Sequence, residues 1–379
     1  MPQRQFRSDD TDKWKDGYGK GTDGIKTVTS AEGLPAANAG CAGTAGSFSL
    51  TIDVASSFAN GQLVMIHQSR GDAQGAGNWE LNKIISGGGT TSLTMAYPLM
   101  NTYQDSGISG GGESQIVEMR QYSAFTITGA AAKLFTVTGW NGNRGGILAI
   151  FCNGETKITN GGSIGDAGTQ EGFRGPPGRG QGEGTGGGFG APNEAANGNG
   201  GGGTFGDWGT GAGGGNGTAG ANGTQVIEGG PLCIGGLAKG NAALTAMVLG
   251  GAGGCGTGDT GGGYGGGIVL IISKKITVDP SAAGFFLQGG NGTGSVAQHG
   301  GGGAGAGGSI LLKGQEITLG NNLVKAQGGS GGAGGNGGTG RIHVDYSKSI
   351  SGTTTPTLNS TLDKSLADPA GGSFFFNLV

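Results

Sequence analysis

From Phe48 onward the chain alternates apolar and polar positions in short runs: Phe48-Ser-Leu-Thr-Ile52, Leu63-Val-Met-Ile66, Trp79-Glu-Leu-Asn-Lys-Ile-Ile85, Ser92-Leu-Thr-Met95 and Gln115-Ile-Val-Glu-Met119. A period of two puts alternate side chains on one face of a strand, and turn residues such as Asn60-Gly61 and Gly87-Gly-Gly89 close the runs. Successive strands about ten residues apart mark a small antiparallel barrel or sandwich, expected over residues 46–128.

Farther along, the pattern becomes a repeat punctuated by glycine. Gly145-Gly-Ile-Leu-Ala-Ile-Phe-Cys152 leads to Ile158-Thr159 and Ile164. Gly266-Gly-Ile-Val-Leu-Ile-Ile272 leads to Ile276-Thr-Val278 and Phe285-Phe-Leu287, and Gly307-Gly-Ser-Ile-Leu-Leu312 to Ile317-Thr-Leu319 and Leu323-Val324. Gly340-Arg-Ile-His-Val-Asp-Tyr346 reads as a fourth, truncated copy. Continuous apolar runs suit strands covered on both faces, so the repeat predicts stacked parallel coils. Ile147 and Ile268 are 121 residues apart, Ile268 and Ile310 42, and Ile310 and Ile342 32. A regular solenoid keeps one period, so the surplus must leave the stack and return to it.

The surplus is glycine. The chain has 96 glycines among 379 residues, and 42 of them fall in residues 165–266 against 22 in residues 1–144. Ordering each backbone costs about 1–2 kcal/mol and a hydrogen bond returns a net 0.5–1.5 kcal/mol or so, while glycine adds no side chain. Such tracts can be ordered only where nearly every N–H and C=O finds a partner in a packed array. Side-by-side polyglycine-II rods meet that condition, with three residues per turn and amides free for neighbouring rods. Alanines within Gly301-Gly-Gly-Ala-Gly-Ala-Gly-Gly308 are then expected to face outward or lie at the edge. Floppy linkers are the competing expectation, and Phe173, Phe189, Phe205, Trp208 and Tyr264 within the tracts count against it. The expected fold is all-β: a small N-terminal antiparallel β-barrel or sandwich, then an irregular β-solenoid-like stack with packed polyglycine-II segments. The stack spans residues 129–350, between an attachment arm at 1–45 with the barrel after it and a C-terminal tail at 351–379 able to dock as a strand.

Only 10 prolines accompany the glycine, which excludes a collagen triple helix. Lys and Arg total 22 against 25 Asp and Glu, without a block of either sign, so nucleic acid is not an expected partner. A charged N-terminus and the lack of any long apolar run predict neither a secretory address nor membrane insertion. Cys41, Cys152, Cys233 and Cys255 lie far apart and read as unpaired thiols. His67, His299 and His343 have no HExxH or HxH neighbour and read as ordinary surface or strand residues, so no metal and no cofactor is expected. Carboxylates for a glycan-cleaving pair would have to come from Asp166, Glu171, Glu183, Asp207, Glu228 and Asp259; with no pair placed among them, no enzymatic activity is expected. Asn216, Asn222 and Asn291 begin Asn-x-Thr sequons, relevant only on a eukaryotic secretory route.

Loop aromatics on a rigid scaffold are common recognition groups, so Phe189, Phe205, Trp208 and Tyr264 form a candidate receptor-binding set, or else seal the rim of the glycine slab. Arg174 and Arg179, beside Pro176-Pro177, add a candidate anion contact. Trp14 in the arm and Phe374, Phe375 and Phe376 in the tail are candidate assembly contacts.

The glycine tracts with interspersed aromatics over residues 165–340 resemble the polyglycine-sandwich adhesins at the tips of long tail fibres of T-even-like bacteriophages. That resemblance implies packed rods forming a rigid body whose loops contact a host receptor. Gly61-Gln-Leu-Val-Met-Ile-His-Gln68, Asn78-Trp-Glu-Leu-Asn82, Tyr97-Pro-Leu-Met-Asn-Thr-Tyr103 and Trp140-Asn-Gly are similar to the opening module of glycine-rich surface proteins of bacteria and their viruses. The implied function is a structural virion protein, a tail-fibre or spike component, with other virion proteins and a host receptor or glycan as partners and a homo-oligomeric state. A self-assembling fibre or sheath subunit and a glycan-cleaving β-solenoid enzyme are the alternatives.

Overall fold

The computed structural model describes residues 19–55, 58–71, 75–165, 210–224, 233–256, 261–292 and 301–367. Among them the fold is all-β, with one 3-10 turn at Lys364–Leu366 and no α-helix. Strand begins within the segment read as an arm: β1 (Ile25–Val28) and β2 (Ala31–Gly33) precede the barrel.

Six strands close that barrel: β3 (Asn38–Ala42), β4 (Ser49–Ile52), β5 (Leu63–Arg70), β6 (Trp79–Ser86), β7 (Ser92–Met95) and β8 (Glu113–Tyr122). They pair antiparallel in the cyclic order β3–β4–β7–β6–β5–β8 and back to β3. Leu50, Ile52, Val64, Ile66, Ile84, Leu93, Met95 and Ile116 fill the interior. Closure leaves no free edge in this module. Its first strand, Asn38-Ala-Gly-Cys-Ala42, is built of small residues and escapes a hydrophobic pattern. Gly40 there allows a close approach of two acids, since a Cβ would lie 2.7 Å from Asp105 Oδ2 and 3.0 Å from Asp53 Oδ2. β5 departs from the period-two reading, being buried on both faces: Val64 and Ile66 point into the barrel while Leu63 and Met65 point out, onto the strands that follow.

Those strands are β9 (Ala124–Thr128), β10 (Lys133–Phe135), β11 (Ile147–Thr159), β12 (Ser163–Gly165), β13 (Ile268–Val278), β14 (Gly284–Phe286), β15 (Ser309–Lys325), β16 (Arg341–Thr355) and β17 (Asn359–Leu362). All pairings among them are parallel. One ladder runs β1–β9–β11–β13–β15–β16–β17. A second runs β2–β10–β12–β14 to the last residues of β15 and on, through Val324 and Lys325, to Thr354 and Thr355 of β16. Leu148, Ile150, Val269, Ile271, Ile310, Leu312, Ile342 and Val344 line the inner face with Phe125, Phe285 and Val324. The alternate positions Ile147, Ala149, Phe151, Ile268, Leu270, Ile272 and Leu311 form a second core with Leu63, Met65, Val117 and Met119 of the barrel. Burial on both faces explains the unbroken apolar runs.

Two details differ from the repeat as read. Ile147 pairs with Ile268, but Ile268 pairs with Ser309, so Ile310 sits beside Val269 and Ile342, one residue off the expected alignment. The copy at Gly340 is not truncated: β16 runs 15 residues, and its Ser- and Thr-rich second half is largely exposed, so no apolar pattern marks it.

Candidate functional site

Between the ladder strands the glycine segments lie side by side and bond outward. In segment 301–308, Gly303 and Ala306 donate to the carbonyls of Gly254 and Gly251, Ala304 and Gly307 to Gly335 and Gly338, and Gly305 and Gly308 to Gly290 and Leu287, all at 2.8–3.0 Å. The same segment accepts from Gly211 and Gly214, from Gly263 and Gly266, and from Gly329. Five of the six neighbouring segments are met at a step of three residues, and the sixth by the single bond from Gly329. A Cβ on Gly303 would collide with the Ala212 carbonyl oxygen, and one on Gly305 with that of Tyr264. Ala304 and Ala306 are nonetheless fully buried, which corrects the expectation that they face outward. Segment 301–308 has neighbours on every side, so it has no edge, and these two methyl groups lie where no neighbouring backbone blocks them.

The array is fastened to the barrel through residues 241–249. Trp79 Nε1 donates to the Leu244 carbonyl at 3.0 Å, and Met247 N to Gly77 O at 2.9 Å. His67 Nε2 lies 2.7 Å from the Met247 carbonyl, and His67 Nδ1 2.8 Å from Ser69 Oγ. A carbonyl only accepts, so Nε2 carries the proton and Nδ1 accepts from the Ser69 hydroxyl, which in turn accepts from Gln115 Nε2 at 2.7 Å. Burial pushes the His67 imidazolium pKa down to about 4, against the opposing pull of the Met247 carbonyl.

Three acids gather at one end of the barrel. Arg144 Nη1 contacts both oxygens of Asp53 at 3.1 and 2.8 Å, and Arg70 Nη2 contacts Glu113 Oε1 at 2.9 Å. Asp105 Oδ1 accepts from Gly107 N at 2.9 Å, and Asp53 Oδ1 from Gly40 N at 3.0 Å. Burial first, then the neighbouring Glu113 charge, raises the Asp105 carboxyl to about 6. These acids bond to cations and amides of the chain itself and tie the 105–112 loop and the Arg144 turn to the barrel.

A second buried polar group sits on the ladder face that looks toward the barrel. Register places Lys313 beside Asp345, and Asp345 beside Thr361. Lys313 Nζ is ion-paired with Asp345 Oδ2, and His343 Nε2 lies 2.9 Å from Asp345 Oδ1. The three side chains are 9%, 3% and 2% exposed for Lys313, Asp345 and His343. Burial pushes the Asp345 carboxyl up, but the His343 hydrogen bond and the Lys313 ammonium outweigh it and hold the group below the usual carboxylate range. His343 Nδ1 and Gln315 Nε2 are buried without a hydrogen-bond partner. His67 and His343 are thus strand residues, as one half of the expectation has it, but buried and hydrogen-bonded rather than on the surface.

Of the residues singled out from sequence, Tyr264 is within the described part. It is half-buried in the glycine array, where its carbonyl accepts from Gly290 N at 2.7 Å. Phe189, Phe205, Trp208, Arg174, Arg179, Trp14, Phe374, Phe375 and Phe376 lie outside the described residues, as do Asp166, Glu171, Glu183, Asp207, Glu228 and Asp259. Asn216 is fully buried and donates to Gly307 O at 2.7 Å, so this sequon is part of the array's interior. Cys41, Cys152, Cys233 and Cys255 are free thiols. Among the described residues no group of three or more His, Cys, Asp or Glu is arranged to hold a metal ion. Comparison with protein-family models and with curated proteins finds no match for the chain.

Proposed function

We propose that this chain is a structural virion protein, a fibre or spike component whose rigid glycine-rich body presents a surface for attachment to a host. The observation that carries the reading is the bonding of segment 301–308 to five of its six neighbours at a three-residue step. That step is the geometry of polyglycine-II rods, which have three residues per turn and no internal bonds. In this reading the parallel ladders form an irregular solenoid, the glycine segments its excursions, and the barrel a head cemented to both through the shared core and residues 241–249. A body so thoroughly bonded suits display of loops in fixed positions, and recognition residues sit characteristically on loops of rigid scaffolds. The buried acids and histidines supply internal ties to this body, which is why attachment is favoured over glycan cleavage.

Purified protein, fluorescently labelled, should bind intact host cells saturably, while amides of residues 250–254 and 301–308 exchange far more slowly than in a free peptide. Filaments that bind no cells would replace this reading with self-assembly alone. One observation favours that second reading: among the described residues β1 and β17 are each hydrogen-bonded along one side only, so copies could join ladder end to ladder end. Sedimentation and electron microscopy of the same preparation separate the two.

A further inference from the structure

The buried trio on β15 and β16 is positioned for covalent chemistry. We propose that Lys313 and Asp345 close an intramolecular isopeptide bond, with His343 as its acid–base group. Parallel register puts the two residues side by side on adjacent strands, with Ile272 in register on the other side of Lys313. Leu311 precedes Lys313 on the same face, and Leu366 belongs to the same core. Other described lysine–carboxylate pairs, Lys26–Glu32, Lys275–Glu155 and Lys348–Glu316, are a third to a half exposed, so their ammonium groups stay hydrated. Lys313 and Asp345 instead meet out of water, where an ion pair is costly to keep and a neutral amide is not.

The step balances without any further reagent. The Lys313 ammonium passes one proton to Asp345 Oδ2, and the freed Nζ lone pair attacks Asp345 Cγ. His343 Nε2–H, 2.9 Å from Oδ1, stabilises the negative charge that develops on that oxygen in the tetrahedral intermediate. Collapse of the intermediate breaks the Cγ–Oδ2 bond. Oδ2 departs as water, taking the second Nζ proton, and a neutral amide replaces the two charges. The buried, unpartnered Nδ1 of His343 gives that ring a place to hold a proton during the transfer. The bond would join residues 32 apart in sequence and lock β15 to β16, beyond which, among the described residues, only the short, exposed β17 continues the main ladder.

Intact-mass spectrometry tests this directly. Wild-type protein should be lighter than its sequence by one water, trypsin should fail to cut after Lys313, and a branched peptide should link Lys313 to Asp345. Lys313→Arg keeps the ion pair but cannot form the amide, so it should fold, have the full sequence mass and lose the branched peptide. In freshly made His343→Gln the uncondensed species should persist at least tenfold longer than in wild type. Wild-type protein at full sequence mass, cut normally after Lys313, overturns the proposal. Wild-type closure rates in His343→Gln would leave the bond standing and remove His343 from its formation.

Discussion

At the residue scale the glycine array is asymmetric toward the smallest possible change. Gly305 and Ala304 are neighbours, yet a Cβ on Gly305 would meet the Tyr264 carbonyl oxygen well inside 3.0 Å, while the Cβ of Ala304 is already accommodated. Overpacking a well-filled interior costs about 1–3 kcal/mol or more, whereas Ala→Gly in ordered backbone costs about 0.5–1 kcal/mol. Gly305→Ala should therefore destabilise the protein several-fold more than Ala304→Gly in urea denaturation, and equal effects would mean that the array yields locally. Asp105 provides a pH signature. An acid whose pKa is raised on folding binds its proton more tightly when folded, so its contribution is complete below the ordinary 3.8 and is lost as pH rises through about 6. Asp105→Asn keeps the Oδ1 acceptor for Gly107 and carries no titrating proton. Its stability relative to wild type should rise between pH 4 and pH 7, which urea denaturation across that range would read. His67 has the opposite sign, its contribution being present above 6.5 and fading toward 4, but it is common to both proteins and cancels in that difference.

The elements differ in how openly the sequence announces them. Strands of the barrel core and the apolar halves of β11, β13 and β15 were legible because Ile, Val and Leu alternate or run on at strand length. β3 was not, since Ala, Gly and Cys carry no periodic signal, and neither was the second half of β16, whose Ser and Thr face solvent. The offset of Ser309 against Ile268 has no signal in residue type, because register is set by the ladder bonds. The Lys313–His343–Asp345 group has a partial signature: His343 and Asp345 are two apart on one strand and so share a face, but Lys313 joins them only once the register of the preceding copy is known. Segment 241–249 has no regular secondary structure, yet it clamps the array to the barrel. Trp79→Phe removes the donor to Leu244 O while keeping the ring, and should cost about 1 kcal/mol. Faster amide exchange at residues 244–247, with 301–308 unchanged, would locate that loss at the clamp.

On the scale of the whole molecule, barrel and ladder are joined by one core, which decides how the protein comes apart. Leu63, Met65, Val117 and Met119 of the barrel, Leu244, Met247 and Leu249 of the clamp, and Ile147, Phe151, Ile268, Leu270 and Leu311 of the ladder belong to a single buried cluster. Burying a large aliphatic side chain contributes about 1.5–3 kcal/mol, so stripping the ladder from the barrel would forfeit more than the 5–15 kcal/mol or so by which a domain is stable. Neither part can unfold and leave the other intact. Calorimetry should accordingly record one cooperative transition for the barrel and ladder, and a fragment ending after Tyr122 should self-associate through its bared β5 and β8 faces. Polar replacements at Met65 and Val117, which point away from the barrel interior, should restore the fragment as a monomer while destabilising the full chain. A separate early barrel transition in the intact protein would mean that the shared core does not couple the two parts, and the barrel would then have to be treated as an independently hinged head.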